Sequence, residues 1–470
     1  MTFHELGLNP MILQALDEID FVKPTPIQTK TIPHLINSDN DLMALAQTGT
    51  GKTAAFSLPI IQQVDHHDKT VQALIICPTR ELAIQIDNDI KNFTKYLPDV
   101  RSLAVFGGQP IERQIQALKK KPQIIIGTPG RLNDLIRRRL LKLHYLRWLV
   151  LDEADEMLNM GFKEELDEIL ETVPETKQSL LFSATMNKSI RSIAKNYMHK
   201  PEEITIGTEN KGADNVQHFY YVVNEKDRYN ALRRIADSVP NIHGIIFCRT
   251  RRETQEVADR LLQDHYSAEA IHGDIPQAQR SQVMNKFRDG KIQLLVATDV
   301  AARGIDVSGL THVINYKVPE SSAAYVHRSG RTGRAHNSGT AVLIINSREQ
   351  YHIKQLEKKI GKEFTKGRIP TGSDICEKQL FHLVEKICDA KVNEEQIDKY
   401  FELIQKKFAS LDREQLIKKL ISTEFNKFLE YYQDASDLNN NVPAHTPEKN
   451  FKKPYKGRRM RKRNFYKKRR

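Results

Sequence analysis

The stretch "DLMALAQTGTGKT" (41–53) joins a short apolar run to a loop rich in glycine and threonine. Its last eight residues match the phosphate-loop pattern G-x-x-x-x-G-K-[ST], except that Ala46 stands at the first glycine position. The apolar run predicts a strand, and a loop between a strand and a helix brings backbone N–H groups close to phosphates. We therefore expect a nucleoside triphosphate site here, the alternative being a glycine turn without a ligand. The site would consist of Ala46, Gln47, Thr48, Gly49, Thr50, Gly51, Lys52 and Thr53.

A second stretch, "LVLDEADEML" (149–158), places four carboxylates within five positions behind another apolar run. In the phosphate-loop site, Lys52 can reach the β- and γ-phosphates and the Thr53 hydroxyl can bind Mg²⁺, which also needs a carboxylate. We expect Asp152 to bind Mg²⁺ and Glu153 to position and deprotonate the attacking water. Acids after a strand also stabilise the start of the next helix, and we prefer that explanation for Glu156.

Short apolar runs alternate with helical patterns over most of the chain and predict two doubly wound, parallel-sheet α/β domains. The first set of predicted strands is 41–46, 73–77, 102–106, 123–127, 148–152 and 179–183. The second set is 218–223, 244–248, 268–272, 292–298, 311–316 and 340–345.

Changes in composition give the expected domain limits. We expect a first domain at 1–206, a polar linker at 207–217, a second domain at 218–370 and a small helical module at 371–436. We expect residues 437–470 to form a disordered basic tail. Thirteen Lys or Arg and one Glu give Val442–Arg470 a net charge of +12. The whole chain carries +13, so its first 441 residues carry only +1.

The composition also excludes several classes of protein. Hydrophobic residues make up 39% of the chain, but no apolar run is long enough to span a bilayer. The opening "MTFHELGLNP" resembles no secretory signal, and the four cysteines form no CxxC pair. We expect a cytoplasmic protein with free thiols and no membrane association.

Several motifs, taken in order, resemble those of the DEAD-box RNA helicases, a superfamily 2 family. The resemblance covers about residues 3–365, and "FVKPTPIQ" (21–28) is similar to the core of the family's Q motif, here within 1–29. One departure is Asp20, where the family commonly has glycine. The remaining motifs are "AQTGTGKT" (46–53), "PTRELA" (78–83), "TPGR" (128–131), "DEAD" (152–155), "SAT" (183–185), "ATDVAARGID" (297–306) and "HRSGRTGR" (327–334).

The resemblance implies two RecA-like domains that close over ATP, Mg²⁺ and RNA, and it implies a role for each matching residue. Gln28 would hydrogen-bond the adenine, Phe21 would pack against it, and Thr25 would support the loop. Asp306 would contact the ribose. Arg331 and Arg334 would be arginine fingers, and Asp155 would couple the ATP site to Ser183, Thr185 and His327. The implied RNA contacts are Pro78, Thr79, Arg80, Gly107, Gly108, Thr128, Gly130, Arg131, Arg249, Gln277, Arg280, Thr298 and Asp299.

These observations predict an ATP-dependent RNA helicase of the bacterial cold-shock type with a C-terminal extension. Local, non-processive unwinding of short duplexes is expected, in ribosome assembly, RNA decay or cold adaptation. An RNA clamp that does not unwind and a DNA translocase remain alternatives. The helical module predicts a homodimer, or else a monomer in which it folds back on the second domain. The basic tail predicts sequence-independent RNA binding, or else only solubility.

Overall fold

The computed structural model describes residues 1–46, 49–206, 215–302, 307, 309–333, 338–432 and 435–439. In that part of the chain, two seven-stranded sheets form, and every strand pair in them is parallel. The prediction of two tandem RecA-like domains is therefore confirmed.

The first sheet has the order β3-β4-β2-β5-β6-β1-β7. Its central strands are buried on both faces, and alternate residues such as Leu74 and Ile75 enter separate hydrophobic cores. This two-sided burial explains why the sequences of these strands are continuous apolar runs. The strands are β1 (Leu42–Leu45), β2 (Ala73–Ile76), β3 (Ser102–Val105), β4 (Ile124–Gly127), β5 (Trp148–Leu151), β6 (Gln178–Ser183) and β7 (Glu202–Thr205).

Crossover helices cover both faces of this sheet, and a 3₁₀ turn at Phe3–Leu6 precedes them. The helices are α1 (Pro10–Glu18), α2 (Pro26–Asn37), α3 (Lys52–Gln63), α4 (Arg80–Phe93), α5 (Ile111–Leu118), α6 (Pro129–Arg137), α7 (Ala154–Asn159), α8 (Lys163–Leu170) and α9 (Lys188–Tyr197).

The second sheet repeats the arrangement, with the order β10-β11-β9-β12-β13-β8-β14. Its strands are β8 (Val216–Val222), β9 (Gly244–Cys248), β10 (Ala268–Ile271), β11 (Leu294–Thr298), β12 (His312–Asn315), β13 (Gly339–Ile345) and β14 (Thr365–Lys366). Its helices are α10 (Arg228–Asp237), α11 (Arg251–Gln263), α12 (Gln277–Arg288), α13 (Asp299–Ala302), α14 (Ser322–Ser329) and α15 (Gln350–Ile360). Two 3₁₀ turns lie at Glu225–Asp227 and Ser347–Glu349.

The structure differs from the sequence prediction at three places along these domains. β7 and β14 were not predicted, because both are short edge strands whose side chains are mostly exposed and polar. The predicted linker 207–217 extends too far at its C-terminal end, because Val216 is already part of β8, where it is buried opposite Gly339 of β13. Residues 207–214 lie outside the described part of the chain.

The helical module consists of α16 (Gly372–Cys388), α17 (Glu394–Phe408) and α18 (Arg413–Tyr432). α16 and α18 dock on the second domain around one buried carboxylate, Asp237, at the end of α10. Tyr266 and Tyr432 both donate their hydroxyls to Asp237, and Gln379 Nε2 donates to its carbonyl oxygen at 2.6 Å. Two helices of the module therefore belong to the body of the second domain, whereas every residue of α17 is exposed.

The expected tail 437–470 begins too early, because residues 435–439 return to the second domain. Leu438 is 3% exposed and enters its core. Asn439 exchanges two hydrogen bonds of 2.9 Å with the backbone of Ile369. The polar composition of "DLNNN" concealed this single buried leucine; residues 440–470 lie outside the described part of the chain. No helix in the described ranges is both long and apolar enough to cross a membrane.

Arg228 is buried inside the second domain, where only 1% of its surface is exposed. Its guanidinium donates to the carbonyls of Tyr316 and Ile344 and pairs with Glu225 and Glu349. Arg228→Met leaves these acceptors without their donor, so we expect the free energy of unfolding to fall by about 2–4 kcal/mol. Urea denaturation of the full chain measures this change.

Arg252→Met is the matched control for that experiment. The Arg252 side chain is 89% exposed and pairs with Glu256, one turn along the same helix. An ion pair of this kind contributes little, so the denaturation midpoint should not move. Equal midpoints for both variants would contradict a stabilising role for the buried guanidinium.

Candidate ATP and RNA site

The carboxyl ends of the parallel strands gather the sequence motifs at one edge of each sheet. The phosphate loop follows β1, the acidic motif follows β5, and Ser183 ends β6. β1 and β6 are neighbours in the sheet, with Leu45 opposite Ser183. Three motifs that are far apart in sequence are therefore adjacent in space.

The Q-motif glutamine contacts the phosphate loop directly. Gln28 Oε1 accepts from the backbone N–H of Thr25 at 2.8 Å, and Nε2 donates to the Gly51 carbonyl at 3.0 Å. Gly51 has φ +85°, and a Cβ there would lie 2.4 Å from Gln28 Nε2. Only glycine satisfies both the backbone conformation and this close approach. The amide keeps one N–H and acceptor capacity that could pair with an adenine edge.

The aromatic residues of the Q motif contact each other. Phe21 is 39% exposed and stacks on Phe3, with ring centroids 6.2 Å apart, while Phe3 itself is buried. Asp20 adopts φ +56°, the conformation that explains why the family commonly has glycine there. The turn thus forms with aspartate in place of glycine, and it presents the Phe21 ring to solvent.

The phosphate-loop lysine is buried beside the acidic motif. Lys52 is 7% exposed, and its Nζ donates to the Ala46 carbonyl at 3.2 Å. Asp152 is 2% exposed, and burial raises its pKa to about 6 even though the Lys52 charge opposes this shift. The Asp152 carboxylate and the Thr53 hydroxyl at the start of α3 are oxygen ligands of the kind that Mg²⁺ takes. Thr53 and Asp152 are therefore the residues that would hold this ion.

Glu153 occupies a strained backbone position. It is the N-cap of α7 with φ 50° and ψ 47°, in the left-handed region, and it is 8% exposed. This conformation costs a residue with a Cβ about 1 kcal/mol, and such strain concentrates at functional sites.

The predicted coupling residues fall into two groups: Asp155, Ser183 and Thr185 contact one another, and His327 pairs with a different residue. Thr185 Oγ1 donates to Asp155 Oδ2 at 2.8 Å, and Ser183 Oγ donates to the Thr185 carbonyl at 2.7 Å. His327, however, pairs through Nδ1 with Glu156. Glu156 does lie in the first turn of a helix, as expected, but it is buried and contacts the second domain.

The second domain supplies basic side chains to a cleft that it shares with the first domain at Glu156. Arg331 is 7% exposed and lines it together with His327 and Glu156. Asp299, expected to bind RNA, accepts a hydrogen bond of 2.6 Å from the buried Arg328. Arg249 is exposed and donates to Glu320 at 3.3 Å. The expected site residues Gln47, Thr48, Asp306 and Arg334 lie outside the described residues.

Some of the residues expected to bind RNA join the two domains to each other. Arg80 Nη1 donates to Gln277 Oε1 at 2.9 Å, and Arg280 pairs with Glu81 at 3.4 Å. The Arg80 guanidinium lies against Gly108, where an added Cβ would be 2.0 Å from Nη1. Gly108 is therefore required for the position of Arg80, and φ +79° also favours glycine there.

The remaining residues expected to bind RNA surround the starts of three helices. Thr79 and Thr128 are the N-caps of α4 and α6, and Thr298 accepts from the Ala301 N–H near the start of α13. Arg131 is held by Gln114 at 2.9 Å. Helix starts bind phosphates through backbone N–H groups, without reading sequence. Pro78 directly precedes Thr79, Gly130 lies in the first turn of α6, and Gly107 lies in the loop after β3.

Sequence analysis missed four residues that organise this site: Glu81, Gln114, Glu156 and Arg328. Glu81 and Arg328 stood inside the quoted motifs but were given no role. Gln114 carries no sequence signal, because one polar residue on an amphipathic helix is ordinarily solvated. The position of Glu156 directly after the acidic motif could have indicated its part in the site.

Comparisons with known proteins agree with this geometry. The DEAD/DEAH box helicase family matches residues 25–193, and the helicase conserved C-terminal domain matches residues 227–336. Residues 375–433 match the helical domain of a probable ATP-dependent RNA helicase. Both sheets and the helical module thus have counterparts in described families.

Individual relatives extend over most of the chain. DEAD-box ATP-dependent RNA helicase CshA of Bacillus cereus is 47% identical over 393 residues, which is 84% of this chain and 74% of the relative. CshA of Bacillus subtilis is 43% identical over 389 residues, which is 82% of this chain and 78% of the relative.

Among solved structures, S. cerevisiae Dbp5 bound to RNA and ADP BeF3 aligns with a TM-score of 0.71 and 30% identity. That alignment covers 82% of this chain and 98% of Dbp5. Mss116p bound to ssRNA and AMP-PNP aligns with a TM-score of 0.70 and 28% identity, covering 91% of this chain and 90% of Mss116p. From its motifs, its fold and these likenesses, the chain belongs to the DEAD-box family of ATP-dependent RNA helicases.

Proposed function

We propose that this chain couples ATP binding and hydrolysis to local, non-processive unwinding of short RNA duplexes. The observation that carries the proposal is that residues expected to bind RNA make contacts across the cleft between the domains. Arg80 reaches Gln277, and Arg280 reaches Glu81. The grip on RNA therefore depends on the relative position of the two domains, so a ligand that closes the cleft also changes that grip.

The ATP chemistry is assigned mainly to the first domain. Gln28 would bind the adenine edge, and Lys52 the β- and γ-phosphates. Thr53 and Asp152 would hold Mg²⁺, which when bound neutralises charge on the phosphate oxygens. Glu153 would orient the attacking water and accept its proton. Arg331 would add positive charge from the second domain when the cleft is closed.

RNA would bind through its sugar-phosphate backbone, at the helix starts and loops around the cleft. A groove of this kind is sequence-independent and selects RNA through its 2′-hydroxyls. Closing the cleft would bend one strand out of its duplex, and phosphate release would reopen the cleft. An RNA clamp would show the same ATPase without strand separation. A DNA translocase would be stimulated equally by DNA of the same sequence.

The biological setting that we propose is the cytoplasm, in ribosome assembly, RNA decay or cold adaptation. The likeness of the chain to relatives named CshA supports this proposal. Crosslinking RNA to the protein in cells and sequencing it would distinguish among ribosomal RNA, messages and decay intermediates.

The first prediction here concerns Glu153→Gln, which keeps the size of the side chain but removes its basicity. We expect RNA-stimulated phosphate release to fall by at least about 10²-fold, because an amide cannot accept the proton of the attacking water. ATP and RNA should still bind together, as measured by anisotropy of labelled RNA. Turnover near the wild-type rate would show that another group is the base.

Glu164→Gln provides the control, since the same chemical change is made at an exposed position of α8. Its turnover and unwinding should equal those of the wild type. Both proteins are also assayed with single-stranded DNA in place of RNA. Equal stimulation by DNA would favour the translocase over the RNA helicase.

We further propose that α17 forms a homodimer interface with a second copy of the chain. All its residues are exposed, and Ile397, Tyr400, Phe401, Ile404 and Phe408 form an apolar stripe on one face. An exposed apolar stripe of this length is unfavourable in water and indicates a contact with another protein surface. The two neighbouring helices contact the second domain through Gln379 and Tyr432, whereas α17 has no buried residue.

Replacing both Phe401 and Ile404 by Glu should convert the dimer into a monomer, because the charges would be buried in the interface. Light scattering gives the mass directly. Lys399→Glu, on the opposite face of α17, should leave the dimer intact. If the wild-type chain has the mass of a single copy, the module serves the second domain alone.

We also propose that the basic segment 442–470 tethers RNA. Its removal should weaken RNA binding and flatten the dependence of affinity on salt, because fewer counterions are released, while ATP hydrolysis continues. A second variant replaces Phe451, Tyr455, Phe465 and Tyr466 by Ser and keeps every charge. It should retain the salt slope but lose the affinity that stacking contributes. An unchanged slope after deletion would leave solubility as the role of this segment.

A further inference from the structure

Glu156 stands directly behind the acidic motif and lies in the first turn of α7. An acid at a helix start ordinarily remains in water, where it interacts favourably with the helix dipole. Only 5% of Glu156 is exposed, however. A buried carboxylate is stable only when a hydrogen-bonded partner compensates its lost hydration. This burial indicates a task beyond stabilising the helix.

The compensating partner lies on the other domain. His327, in the last turn of α14, pairs through Nδ1 with Oε1 of Glu156, and its side chain is 15% exposed. Burial by itself lowers the pKa of His327, but the hydrogen bond and charge of Glu156 raise the pKa above the ordinary histidine value. The contact across the cleft therefore favours the protonated form of His327.

Both ends of this pair are close to the groups assigned to ATP chemistry. On the first domain, Glu153 caps the same short helix, and Asp155 accepts from Thr185. Glu153 and Glu156 therefore lie within one helical turn of each other. On the second domain, the buried Arg331 follows His327 by four residues, just past the end of α14. Fixing His327 therefore restricts where Arg331 can lie.

We propose that Glu156 is a positioning residue that locks the closed cleft by binding protonated His327, and so presents Arg331 to the ATP site. This inference rests on the function proposed above, in which closure couples ATP to RNA. The pair can form only when the domains meet, and both groups are hydrated when they part. Its free energy therefore favours the closed state alone.

A double-mutant cycle tests the pair with Glu156→Gln, His327→Gln and the two together. The measured quantity is the RNA concentration that gives half-maximal ATPase stimulation. Each single change should raise it about tenfold, and the double variant should be no worse than either one, because both remove the same interaction. Effects that multiply in the double variant would overturn the proposal.

The pH profile gives a second readout that simple structural support would not alter. The charged groups around His327 are Glu156, Asp155 and Glu153 from the first domain, with Arg328, Arg331 and Asp299 lining the same cleft from the second. The lock should be complete below the ordinary histidine pKa of about 6.5 and lost as pH rises through the raised pKa of His327. The half-saturating RNA concentration should thus rise with pH in the wild type and stay nearly level in Glu156→Gln. Parallel profiles would overturn the proposal.

Two controls separate failure of this inference from failure of the proposed function. Glu164→Gln should match the wild type in both assays, and thermal unfolding should show that every variant is folded. If Glu153→Gln still hydrolyses ATP at the wild-type rate, the proposed chemistry is wrong. If Glu153→Gln is inactive but the Glu156 and His327 effects multiply, only the lock is wrong.

Discussion

The parallel hydrogen-bond ladder of each sheet is the constraint on which the positions of all the motifs depend. Parallel neighbours need a crossover, so every strand in the sheet ends at the same edge. The register places Leu45 opposite Ser183 and Leu151 opposite Leu181. The loops that follow these strands therefore lie next to one another. The second sheet repeats the strand order, so each domain offers one edge, and the site lies where the two edges face each other.

The cleft concentrates buried charges, and most of them are compensated within it. Asp152 lies near Lys52, Glu156 pairs with His327, and Asp299 pairs with Arg328. Of these, only the Glu156–His327 pair joins the two domains. The other two pairs are internal to a domain, so they keep the site intact whether or not the cleft is closed. This division separates stability within each domain from communication between the domains.

Sequence analysis identified both sheets and most of their strands, because buried parallel strands have an apolar signature that polar edge strands such as β7 lack. It placed the phosphate loop and the acidic motif correctly relative to the strands, since such loops are local. It did not identify the partner of Glu156, because that contact joins positions 171 residues apart and depends on how two domains pack. The docking of Leu438 was missed for a similar reason: a single leucine among polar residues has no periodicity.

The short segment 435–439 has a geometric consequence for the charged residues that follow it. Asn439 is hydrogen-bonded to Ile369, so the remaining 31 residues start from a fixed point on the second domain. Fully extended, they reach no more than about 110 Å from that point. A nucleic acid held by them would remain within this radius as a high local concentration of ligand. It would also move with the second domain, so a strand released from the cleft would not be lost to bulk solution before the next closure.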